Sequence, residues 1–122
     1  MIHALLAIFI VAHGAVHGIM FGLPLLPSAE EDMAQRSFHP ATSWLFGETP
    51  LVGFVWGLGV TIAFVVAGGA VLARAGWWPS IVLAAVGCSL VLLLLYASTY
   101  WTVGYAINIA LAVWAWRAMQ ST

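Results

Sequence analysis

The sequence predicts an all-α protein, a polytopic integral membrane four-helix bundle forming one domain over residues 1–122, and three observations carry that expectation. Only seven side chains are formally charged, against about a quarter of the residues in a soluble domain. Hydrophobic residues make up 64% of the chain and the mean hydropathy is +1.07. The charges are also segregated. Residues 1–29, 49–73 and 75–116 contain no Asp, Glu, Lys or Arg, and the last run, at 42 residues, is long enough for two membrane crossings with a turn between them.

A spanning helix needs about 20 apolar residues, because about 30 Å of hydrocarbon is crossed at about 1.5 Å per residue. The first span is expected over about residues 2–23, stopping at Pro24-Leu25-Leu26-Pro27. It lacks the basic start of a secretory signal, is too long for a signal's apolar core and carries internal His residues, so it reads as a span. Residues 24–50 form a loop outside the membrane, with the acidic cluster Glu30-Glu31-Asp32 and His39. There Ser28 followed by acids suits the start of a short helical turn. Trp44, Leu45 and Phe46 bring the chain back to the interface. The second span covers about residues 51–73, just after Pro50. Pro79 suits the first turn of a third span, about residues 79–99, and the fourth and shortest covers about residues 103–119.

With four spans, both termini share one side with Arg74 and Arg117, and Arg36 lies opposite, so the positive-inside rule places the termini in the cytoplasm and the 24–50 loop outside the cell membrane. Trp77, Trp78, Trp114 and Trp116 would then form the inner aromatic girdle, and Trp44, Tyr96, Tyr100 and Trp101 the outer one. Three Arg and no Lys cannot neutralise a run of phosphates, which argues against nucleic-acid binding. The single Cys88 lies in an apolar run and can form no internal disulfide or Cys-based zinc site.

Lipid gives helices no hydrophobic reason to associate, so packing falls to small residues and interhelical hydrogen bonds. Gly14, Gly18 and Gly22 form a ridge at four-residue spacing on the first span, Gly53 and Gly57 repeat it on the second, and Gly104 begins a similar stripe with Asn108 and Ala112. These glycines are read as packing surfaces. His3, His13 and His17 fall within about 80° of one another on a helical wheel, on a face adjacent to the glycine ridge. Counting depth from span centres brings His13, His17, Asn108, Tyr105, Tyr96 and Thr61 within reach of one polar cluster in the outer half of the membrane. Ser89 also lies near the midplane.

His13-Gly14-Ala15-Val16-His17 is the one motif with chemical content. Two His at i, i+4 can share a metal ion, and Met20 adds a soft donor suited to a transition metal such as copper. Haem is a second possibility, although adjacent His on one helix do not clamp one iron from both faces. Proton or small-substrate relay is a third, since a neutral imidazole passes protons between its nitrogens. The simplest reading is that both His are neutral, hydrogen-bonded and fix helix register.

His13-Gly14-Ala15-Val16-His17-Gly18 and Gly104-Tyr105-Ala106-Ile107-Asn108 resemble a family of small uncharacterised bacterial and archaeal four-span proteins. That family has His-Gly-x-x-His in its first helix and Gly-x-x-x-Asn opening its last, and the layout is similar to DoxX-like membrane proteins. The resemblance implies a four-helix membrane bundle in which His13, His17 and Asn108 belong together, and implies no reaction. The expectation for function is a non-catalytic accessory or assembly subunit of a larger membrane complex, or a homo-oligomer; a His-based intramembrane site for haem, a metal or proton relay is the alternative.

Overall fold

A computed structural model describes residues 1–26 and 42–121. The expected helical turn after Ser28, the acidic cluster, Arg36 and His39 lie outside the described residues. The fold is all-α with four long helices: α1 (Ile2–Gly22), α2 (Pro50–Leu72), α3 (Trp78–Leu95) and α4 (Thr102–Gln120). α1, extended by a 3-10 turn over Leu23–Leu25, is long and apolar enough to cross a membrane, as are α2 and α3. Only 33%, 33% and 39% of these three segments is buried, so most of their apolar surface needs lipid rather than water around it. α4 has 19 residues but is less apolar because Asn108 and Arg117 interrupt it.

Proline marks where α2 and α3 start. Pro50 and Pro79 occupy first-turn positions of α2 and α3, where a missing N–H leaves no bond unmade. α2 ends on a Schellman turn, with Arg74 N–H donating to the Val71 carbonyl and Ala75 N–H to the Ala70 carbonyl. Arg74 takes φ 53° there, a left-handed conformation that glycine would adopt more readily. A short antiparallel hairpin, β1 (Thr42–Ser43) with β2 (Gly47–Glu48), precedes α2 and pairs Thr42 with Glu48 and Ser43 with Gly47. Its turn closes through the Ser43 hydroxyl, which accepts from the N–H groups of Leu45 and Phe46, and through Gly47 at φ 75°.

The third helix ends four residues before the expected limit of residue 99. Its terminal carbonyls find partners from elsewhere in the chain. The Leu93 carbonyl accepts from Tyr105 Oη, Leu94 from Trp44 Nε1, Leu95 from Trp44 N–H, and the carbonyl of the following Tyr96 from Trp101 Nε1. Among helix-terminal carbonyls with no water to bond, such partners fix where the helix stops. The bonds correct the expected aromatic girdle too. Tyr96 and Trp101 are buried against Phe21, in an edge-to-face contact at 5.4 Å and a stacked contact at 5.8 Å, instead of facing lipid. Trp44 is exposed and fits the girdle. At the opposite end of the bundle Trp78 stacks on Trp114 at 4.3 Å, while Trp77 and Trp116 are exposed.

α1 and α2 make the most extensive helix pair, and the glycine ridge is the reason. A Cβ on Gly14 would collide with Cβ of Phe64; one on Gly18 would lie 2.9 Å from Thr61 Oγ1, and one on Gly22 3.2 Å from Phe54. α2 reciprocates through Gly57 beneath Phe21 and the His17 carbonyl, and through Gly68 against Val11 and the Ala7 carbonyl. Gly53 is buried as well. Gly104, by contrast, has only an ordinary contact with Leu93. The core runs along the middle of the bundle through Ile10, Val60, Phe64, Ala67, Val82, Ala85, Leu92 and Leu111.

Candidate functional site

The i, i+4 spacing of His13 and His17 places both imidazoles on the face of α1 that looks toward α3 and α4, about a quarter turn or more from the glycine ridge held by α2. Both are buried, at 8% and 5% exposure, and both rings pack on Phe64 of α2. The rings meet edge-to-face with centroids 5.1 Å apart.

Their hydrogen bonds have one self-consistent direction. A carbonyl can only accept, so the 3.1 Å contact from His17 Nδ1 to the His13 carbonyl puts the proton of neutral His17 on Nδ1. His17 Nε2 is then a lone pair, and the Ser89 hydroxyl donates to it at 2.7 Å. With its proton spent, Ser89 Oγ accepts from Asn108 Nδ2 at 2.8 Å. Asn108 therefore presents Oδ1 to His13, whose Nε2–H donates to it at 3.3 Å. The chain of donors returns to His13, where it began. A reversed Asn108 amide would make Ser89 donate to Asn108, leaving the lone pairs of Ser89 and His17 facing each other at 2.7 Å unless His17 carried a second proton and with it an unpaired charge. The orientation is thereby set by the network itself.

This ring joins α1, α3 and α4, and its members Asn108 and Ser89 are fully buried. Of the six residues expected to cluster, the structure brings together His13, His17 and Asn108. Ser89 completes the group in place of the other three. Thr61 faces the opposite side of α1, where its hydroxyl contacts the carbonyls of Gly14 and Gly57 at 2.7 and 3.0 Å and accepts from Gly18 N–H at 3.0 Å. Tyr105 caps the Leu93 carbonyl at 2.9 Å. Tyr96 bonds Thr49, through its carbonyl at 3.0 Å and its hydroxyl at 2.8 Å, and so ties the start of α2 to the end of α3. Ser89 had a legible signal, its depth near the midplane of a charge-free span.

The same imidazoles border a lateral groove of about 280 Å³ between α1 and α4. Val16, Met20 and Phe21 line it from α1, Gly104 and Ile107 from α4, and Trp101 from the turn between α3 and α4. Val16 and Val103 on its rim are exposed, so the groove opens sideways onto the apolar exterior. Its lining is almost wholly apolar apart from the two His.

As a metal site the motif has the Nε2 atoms of both histidines occupied by hydrogen bonds. An ion shared by His13 and His17 through Nε2 would displace both Asn108 and Ser89, and Met20 is the one further soft donor in the groove. Among the described residues no three His, Cys, Asp or Glu side chains gather, and the described histidines all lie on α1, which gives haem no second imidazole from a facing helix within the chain. Cys88 is exposed on α3. Comparisons with protein-family models, curated proteins and solved structures found no match to this chain.

Proposed function

We propose that the protein is a small, non-catalytic, multi-pass protein of the cell membrane that works as an accessory or assembly subunit of a larger membrane complex, or as a homo-oligomer. The observation that carries the proposal is the closed ring of His13, Asn108, Ser89 and His17. Both Nε2 atoms, the Ser89 hydroxyl and the Asn108 amide bond one another and hold three helices in register, and the described helices expose mainly apolar side chains. The proposed topology has four spans, cytoplasmic termini and residues 24–50 outside. In support, α4 would be about 28 Å long at about 1.5 Å per residue, and it turns Asn108 inward while Val103, Ile109, Val113 and Trp116 face out. This is the layout that the His-Gly-x-x-His four-span resemblance implies.

Native purification in mild detergent, with mass spectrometry of what remains bound, tests this reading. A stoichiometric membrane partner or a defined homo-oligomer is expected; a lone monomer from native membranes would remove its basis. A second reading, a His-based site for haem, a metal ion or proton relay, is favoured by the groove that reaches both imidazoles. It requires a Soret band, a stoichiometric metal, or proton flux in liposomes that is lost in H13Q/H17Q.

A further inference from the structure

The groove offers a ligand one kind of hydrogen bond. His13 Nε2–H is given to Asn108, both nitrogens of His17 are engaged, and Trp101 Nε1–H donates to the Tyr96 carbonyl. Every side-chain N–H on the lining is thus spent. In the tautomer that the ring dictates, His13 Nδ1 is a bare lone pair, and the His13 ring makes its one hydrogen bond through Nε2. Among the described residues no fully buried side-chain nitrogen or oxygen lacks a partner, so Nδ1 keeps access to free space, and His13 is one of the residues that line the groove. His13 is otherwise more than nine-tenths buried.

An apolar slot with a single acceptor at its polar end selects a donor carried on hydrocarbon. We infer that the groove binds a membrane-resident alcohol, one hydroxyl on a single apolar chain, whose O–H donates to His13 Nδ1. Ketones, ethers and ester carbonyls bring only acceptors and would face a lone pair; a charged headgroup would find no counter-charge. The volume is that of about nine liquid waters, enough for the hydroxyl and the first carbons, with the rest of the chain leaving past Val16 and Val103 into lipid. Trp101 and Phe21, stacked on each other, supply a rigid wall for that chain. The inference goes beyond the accessory-subunit reading and is independent of any partner.

The test uses the full chain in lipid nanodiscs, labelled with ¹⁵N-histidine and titrated with 1-dodecanol, 1-methoxydodecane or dodecane. Dodecanol is expected to move the His13 Nδ1 resonance saturably while the His17 resonances, which report the ring, stay in place. The methyl ether, lacking the donor, is expected to bind about fivefold more weakly and to leave Nδ1 unmoved, the loss of one neutral hydrogen bond. V16W, which fills the groove from its rim without touching the ring, abolishes the dodecanol response; where V16W does not fold, as read from the His17 signals, G104L serves the same purpose from α4. Equal affinity for alcohol and ether, an unmoved Nδ1 at saturation, no saturable binding, or a response that survives a folded groove-filling variant would each overturn the inference.

Discussion

Replacing Ser89 with Ala tests the ring at its most connected point. Ser89 Oγ is fully buried, donates to His17 Nε2 at 2.7 Å and accepts from Asn108 Nδ2 at 2.8 Å, so one atom removed breaks two short bonds and strands two polar groups. In water-soluble proteins each stranded group costs about 1–3 kcal/mol; interhelical bonds in membranes average about 0.6 and reach about 1.7 kcal/mol, because the unfolded state finds substitutes. Two bonds therefore give about 1.2 kcal/mol at the average and about 3.4 at the upper limit, the former about an eightfold shift in the folding equilibrium. Reversible unfolding in mixed micelles, followed by far-UV circular dichroism, measures it.

The bracket is sharpened by a cycle with H17F. Once His17 has lost its lone pair, Ser89 has less to lose, so S89A in the H17F background should cost less than alone, with a coupling of at least about 0.5 kcal/mol. Nitrogen resonances of His17 supply a second readout: the proton should remain on Nδ1, held by the His13 carbonyl. A cost for S89A within about 0.5 kcal/mol of zero, together with additive behaviour in the cycle, would refute the ring as a stabilising unit.

The glycines divide sharply. G14A drives a methyl onto Cβ of Phe64, which cannot swing away, and should destabilise by about 1–3 kcal/mol in the same unfolding assay, whereas G87A meets open space and should be neutral or stabilising by up to about 1 kcal/mol. T61V keeps the shape of the side chain but removes the hydroxyl that bridges Gly14, Gly57 and Gly18; a loss of about 1 kcal/mol is expected, with the imidazole resonances of His13 and His17 unchanged because Thr61 lies outside their ring. R74G relieves a left-handed conformation at the C-terminal turn of α2 and should raise stability by about 1 kcal/mol, read as a higher unfolding midpoint.

The helices were legible because charge is excluded from hydrocarbon, and uninterrupted runs mark them almost to the residue at Ile2, Pro50 and Trp78. The end of α3 was not, because residues 96–99 contain no charge, proline or glycine to end a span; what stops the helix is Trp44, Tyr105 and Trp101, reaching carbonyls at its end from 5 to 51 positions away. The site shows the same split. His13, His17 and Asn108 stood out as the few strongly polar groups at compatible depth. Depth alone could not separate Ser89 from Thr61 or Tyr105, since that choice depends on how α2, α3 and α4 are rotated about their own axes. The hairpin of two-residue strands carries too short a pattern to be read.

Those rotations also explain why a groove exists where it does. The glycine ridge draws α2 onto α1 until backbone and Cβ atoms touch, which fixes the orientation of α1 and turns His13 and His17 toward α3 and α4. On that second face contact is made at the length of side chains: His13 reaches Asn108, and His17 reaches Ser89, through bonds that hold the helices apart as firmly as they hold them together. Small residues at Gly104 and Ala112 do not close the gap, because α4 packs on α3 and its depth of approach to α1 is set by the imidazole and amide between them. The space beside the ring follows from that spacing. Shortening the spacer should therefore change the groove more than the fold: N108S, too short to span from Ser89 to His13, would release His13 Nε2 while α1 stays seated on its glycines.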